Sequence, residues 1–137
     1  MDVYLIDTKD GSRHEASIQL ASRESLSLEN ENWQFDWKLL SQNKDALFYK
    51  IILQTKEEEI QGLLMLTLQN NEMLYANNIE VAPHNYGSKG KYDRVAGCLI
   101  SFATLKSFEL GKGSYVGFLI FESKTALVEL YQEKYKA

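Results

Sequence analysis

The chain has 137 residues, of which 45% are apolar, one proline and a formal charge of -4. A chain of that length buries roughly two-thirds of its unfolded surface in one core, and so apolar a composition excludes a disordered or low-complexity protein, so residues 1–137 are read as a single domain. The acidic balance offers no field for a nucleic acid, the lone Cys98 excludes an internal disulfide, and the scattered His and Cys exclude a zinc site. No apolar run nears the ~20 residues that cross a bilayer, and the start lacks a basic stretch followed by an apolar one. These exclusions predict a cytoplasmic protein without a structural metal or a membrane partner.

Val3 to Asp7 is apolar and β-branched, Asp10-Gly11 is a turn signal, and His14 to Leu20 alternates, which together predict a hairpin. Ser22 to Asn32 is polar and acidic and reads as an irregular connector. Trp33, Trp37 and Leu40 fall at i, i+4 and i+7, on one stripe of a helix ending near Gln42 to Lys44. The alternation of Trp33, Phe35 and Trp37 suits a strand equally; helix is the reading adopted. These aromatics either pack in the core or wall a substrate groove.

Leu47 to Gln54, Ile60 to Leu68 and Met73 to Val81 are strand signals separated by short polar stretches, which predicts an antiparallel meander. Lys56 to Glu59 reads as a solvated turn, and Gly62 marks a close backbone approach, a bulge or a packing accommodation. Pro83 leads into a glycine-bearing loop from His84 to Gly90. Val95, Leu99, Phe102 and Leu105 then follow helical spacing up to Gly111 and Gly113. Tyr115 to Phe121 predicts another strand, Ser123 an N-cap, and Thr125 to Tyr135 an amphipathic helix bearing Tyr131. His84 is either a second acid or base or an exposed loop residue, and the exposed-loop reading is adopted; Cys98 reads as a small buried residue and not a nucleophile.

Ile79-Glu80-Val81-Ala82-Pro83 followed by Lys91-Tyr92-Asp93-Arg94-Val95-Ala96 resembles the central motif of the GNAT N-acetyltransferases. In that family a strand ends in hydrophobic-x-Val-x-Pro, and Arg/Gln-x-x-Gly-x-Gly/Ala opens a helix. The likeness continues through Tyr115 to Phe121 and through Ser123 to Tyr135, which is similar to the family's tyrosine-bearing helix. It covers about the last two-thirds of the chain. Lys91 takes the basic position, Ala96 the second glycine, and Arg94 stands where the first glycine is usual.

The resemblance implies an α/β (α+β) fold: a mixed, mostly antiparallel sheet flanked by helices, with the family's C-terminal strands shortened or absent. It implies acetyl-CoA as cosubstrate, its pyrophosphate held by N–H groups at a helix N-terminus and its pantetheine in a gap beside the strand ending at Val81. Ile79, Val81, Lys91, Tyr92, Asp93, Arg94, Val95, Ala96 and Ser123 would contact it, and backbone near Val81 would hold the thioester carbonyl. Glu80 is then either the base that deprotonates an amine acceptor for direct attack or an outward-facing carboxylate. Tyr131 is either the acid for the departing thiolate or a packed helix residue, and Trp33 and Trp37 would line the acceptor groove. A shortened sheet leaves an edge that a homodimer would cover. The alternative is a catalytically inactive interaction or regulatory module on the same fold, favoured by Arg94 in the phosphate loop.

Overall fold

The computed structural model describes residues 1–28, 31–69, 73–110 and 118–121. The strands are β1 (Asp2–Asp7), β2 (Arg13–Leu20), β3 (Ala46–Leu53), β4 (Lys56–Gln69), β5 (Met73–Val81), β6 (Tyr92–Asp93) and β7 (Phe118–Phe121). A one-turn helix, α1 (Trp37–Leu40), precedes β3, and the long helix α2 (Val95–Leu110) precedes β7. The strands form one sheet in the order β6-β1-β2-β3-β4-β5-β7. Every pairing is antiparallel except β5 with β7, which the crossover through α2 makes parallel. The sheet is thus mixed and mostly antiparallel, as expected.

The first hairpin closes because Gly11, at φ 73°, adopts the left-handed turn geometry and donates to the Asp7 carbonyl at 2.8 Å. β4 carries an almost unbroken apolar run because both of its faces are covered. Leu64 and Leu66 join Ile51, Ile79, Val95 and Leu99 beneath α2. Leu63 and Met65 point the other way, into a second cluster with Leu26, Trp37, Ala46 and Phe48. Gly62 is where α2 presses closest on β4: a Cβ there would lie 2.6 Å from Val95 Cγ1. No helix among the described residues is long and apolar enough to cross a membrane.

Two expectations are corrected. The stretch from Trp33 to Lys44 is not one helix; only Trp37–Leu40 is helical, opened by Asp36, whose carboxylate accepts from the Leu39 N–H at 3.0 Å. The Trp37 N–H donates to the Phe35 carbonyl at 3.1 Å, where a helix from Trp33 would use the Trp33 carbonyl, and the amides of Gln34 and Phe35 are held by Glu80, so the helical ladder does not extend back to Trp33. Lys56 to Glu59 belong to β4 and not to a turn. Leu53 pairs with Lys56 and Ile52 with Ile60, so Glu57, Glu58 and Glu59 are accommodated as a bulge. Gly111, Gly113, Tyr115, Ser123 and the expected helix with Tyr131 lie outside the described residues.

Candidate functional site

β5 is the strand that builds the site. Its pairing with β7 runs from Met73–Phe118 to Ala76–Phe121, and at Asn77 a bulge shifts its register against β4, so that Leu66 faces Ala76 while Met65 faces Asn78. Among the described residues, Asn78 to Val81 pair with β4 alone. The Ala82 N–H donates to the Gln61 carbonyl at 2.9 Å. By the alternation of an antiparallel ladder, the N–H and C=O groups of Val81 and Ile79 therefore turn away from β4, toward the β7 side. The side chains of both residues are buried in the core under α2, so what they present to that side is backbone.

Glu80 points to the opposite face. Its side chain is only 3% exposed, yet its carboxylate is fully engaged. Oε1 accepts from the Trp37 indole N–H at 2.9 Å and the Phe35 N–H at 3.1 Å; Oε2 accepts from the Gln34 N–H at 2.7 Å and from the Tyr86 hydroxyl. Each oxygen thus has both lone-pair sites occupied. The outward-facing reading of Glu80 is corrected: the carboxylate pins residues 34–37 and Tyr86 to the end of β5. Burial and the adjacent carboxylate push the Tyr86 phenol well above its ordinary value.

At the start of α2, Arg94 has φ 81°. The backbone keeps a glycine-like left-handed conformation although the residue is not glycine. Its side chain turns to β1, where Nε donates to the Tyr4 carbonyl at 3.2 Å and the guanidinium carbon lies 3.9 Å from the Tyr4 ring centroid. The Arg94 N–H donates to the Asp93 carboxylate at 2.9 Å, and the first helical bond runs from Cys98 N–H to Arg94 carbonyl. The N–H groups of Val95 and Ala96 therefore belong to the first turn, where helix geometry supplies no intrahelical acceptor. The side chains of Tyr92, Val95 and Ala96 are buried, while Lys91 is exposed with its ammonium 5.5 Å from the Tyr92 ring. Burial raises the pKa of the Cys98 thiol, as expected of an inert cysteine.

Beside the end of β5 lies a cavity of about 760 Å³ lined by Trp33, Ile60, Ala82, Pro83 and His84, with Glu24, Glu31, Glu57, Glu58, Glu59 and Lys50 as its charged groups. Trp33 thus reaches a cavity, whereas Trp37 is 1% exposed and stacks edge-on with Trp33, Phe35 and Phe48.

No protein-family model matches the sequence, and neither does any curated protein. Solved structures match the fold. A GNAT family acetyltransferase from Elizabethkingia anophelis with acetyl-CoA bound superposes with a TM-score of 0.52 at 21% identity, over 85% of this chain and 72% of that one. An IAA acetyltransferase from Bacillus cereus superposes at 0.51 and 21% identity, over 85% and 73%. A transcriptional regulator from Bacillus halodurans superposes at 0.56 and 14% identity, over 89% and 93%.

The chain has the GNAT fold. Within it, the structure brings Ile79 and Val81 to one side of β5 and Glu80, Trp33 and Trp37 to the other, with residues 91–96 forming β6 and the first turn of α2. The sequence reading missed Tyr86, Gln34 and Phe35 as partners of Glu80. It also missed Gln61 and Asn85, each 0% exposed. Gln61 carried a signal, since it is a polar residue inside the apolar run of β4. Nothing local marks the amides of Gln34 and Phe35.

Proposed function

We propose that this protein is an acetyl-CoA-dependent N-acyltransferase that moves an acetyl group to an amine. The observation that carries the reading is the register of β5 beyond the Asn77 bulge, which turns the backbone N–H and C=O groups of Ile79 and Val81 away from β4, to the side a pantetheine arm would occupy. Bound there, acetyl-CoA supplies an activated acyl thioester. The Val81 N–H would polarise its carbonyl. At the other end of the coenzyme, the N–H groups of Val95 and Ala96, with Lys91 and Ser123, would hold the pyrophosphate. Arg94 keeps the backbone path of a glycine, so the path fits; the Asp93 carboxylate beside it opposes an anion. Tyr131 would protonate the departing thiolate.

Glu80 is a positioning residue in this reading, since accepting a proton on either oxygen displaces a donor already bound. It anchors Trp37, against which Trp33 of the acceptor-side cavity packs. A cytoplasmic location and a homodimer belong to the same proposal. A second reading, a non-catalytic module on the GNAT fold, is favoured by Asp93 at the helix N-terminus. Titration of acetyl-CoA with the melting temperature as readout tests the coenzyme site: a ligand that binds only the folded chain raises stability, and an unchanged melting temperature at millimolar acetyl-CoA removes the acyltransferase reading.

A further inference from the structure

With Glu80 saturated, the acyl-transfer reaction proposed above lacks a proton acceptor, and the loop after β5 supplies one. His84 follows Pro83 directly and lines the 760 Å³ cavity with Trp33. Its Nε2 lies 2.8 Å from Gln61 Oε1 and 3.5 Å from Glu59 Oε1.

The hydrogen bonds around it determine which ring nitrogen carries the proton. The Gln61 side-chain amide donates from Nε2 to the Glu59 carboxylate at 2.9 Å, and a carboxylate only accepts. Gln61 Oε1 therefore faces His84. Asn85 is oriented in the same way: its Oδ1 accepts from the Tyr92 N–H at 2.9 Å, and its Nδ2 donates to the Gln61 carbonyl at 3.1 Å and to Gln61 Oε1 at 3.0 Å. An oxygen that accepts from Asn85 on one side accepts from His84 on the other, so Nε2 of neutral His84 is the protonated nitrogen. The basic lone pair is on Nδ1.

Gln61 and Asn85 are both fully buried, so this orientation is held by groups without freedom to rotate. We infer that His84, held as the Nε2–H tautomer by Gln61 and Asn85, is the general base of the acyltransferase and takes a proton at Nδ1 from an ammonium group seated in the cavity.

The step balances as follows. The ammonium gives one proton to Nδ1, and the freed amine attacks the thioester carbonyl carbon. A C–N bond forms, the C–S bond breaks, Tyr131 gives its proton to the thiolate to make coenzyme A thiol and regains one from the attacking nitrogen, and His84 releases its proton to solvent. The carboxylates lining the cavity outnumber its one lysine, which matches the cationic form of the acceptor. Burial lowers the His84 pKa from its ordinary 6.5, against Glu59 of β4 and Glu31 of the connector, which raise it, and together with Lys91 and Lys56, which lower it. The ring is thus neutral and able to accept at neutral pH.

The test uses the full chain with acetyl-CoA and spermidine as the probe amine. Thiol release by the wild type should rise with pH through a pKa below 6.5 and level off. His84→Gln should lose about 100-fold in kcat and lose that pH dependence, while keeping the acetyl-CoA melting shift. Nitrogen NMR of the wild type should report the Nε2–H tautomer, a readout that needs neither turnover nor a variant. Turnover within twofold of wild type in His84→Gln, an Nδ1–H tautomer, or acetyl-CoA binding without any thiol release overturns the role of His84. Failure of acetyl-CoA to bind overturns the acyltransferase reading itself.

Discussion

The indole N–H of Trp37 donates to Glu80 Oε1 at 2.9 Å across 43 residues of sequence. This bond and those of the Gln34 and Phe35 amides join the connector before β3 to the end of β5, and the Tyr86 hydroxyl adds a fourth from the loop beyond it. The result is that a carboxylate on the site strand acts as a fastener. In Glu80→Gln an amide NH2 replaces one oxygen and meets two donors whichever way it turns, which should cost about 3 kcal/mol in urea unfolding. Trp37→Phe removes one donor and should cost about 1 to 2 kcal/mol. The double variant should be less destabilised than the sum by about 1 kcal/mol. A Glu80→Gln protein as stable as wild type contradicts this role.

Arg94 separates two effects that one substitution would mix. Glycine and alanine both remove the guanidinium from Tyr4, but only alanine keeps a Cβ at φ 81°. Arg94→Gly should therefore be more stable than Arg94→Ala by about 1 kcal/mol, measured by denaturant midpoint. Equal stabilities would show that the left-handed backbone is not maintained in solution.

Gly62 is predicted to be intolerant for a packing reason. The methyl group of Gly62→Ala meets Val95 Cγ1 at 2.6 Å and Leu99 Cδ1 at 3.1 Å, and such overpacking costs about 1 to 3 kcal/mol. Val95→Ala in the same chain opens the space, so the pair should be more stable than the two single losses added together. Strict additivity would contradict the contact between Val95 and Gly62.

Tyr86 makes an alkaline prediction. Its phenol is raised in the folded state above the ordinary 10.0, so as pH passes 10 the unfolded chain loses this proton first and the folded chain binds more protons. Stability must then fall with rising pH from that point up to the folded value. Between about pH 9 and 11, Tyr86→Phe should show a shallower fall in melting temperature than wild type. Parallel curves would mean that the Tyr86 hydroxyl does not reach Glu80.

The parts of the fold legible in the sequence are those whose signal is local. Alternation in β2 and helical spacing from Val95 to Phe102 arise from burial of a single face, which any window of ten residues records. The stretch from Trp33 to Leu40 has the helical spacing with a helix only from Trp37, because its first half is held instead by Glu80, 43 to 46 residues away, and the Trp37 N–H turns to the Phe35 carbonyl. The same distance hides the function of Glu80: its strand and position are readable, but whether it faces solvent or four donors is decided by a segment that carries no matching signal. Arg94 is the reverse case. Its departure from glycine was visible at once, and only the structure shows that the backbone retained the glycine conformation.

The central claim is that the backbone of β5 turned away from β4 beyond the Asn77 bulge and the start of α2 together receive acetyl-CoA. Amide hydrogen exchange of the full chain, with and without saturating acetyl-CoA, tests it by location. The account predicts slowed exchange at Ile79, Val81, Val95 and Ala96. Unchanged exchange at those four residues, with or without protection elsewhere, would contradict it.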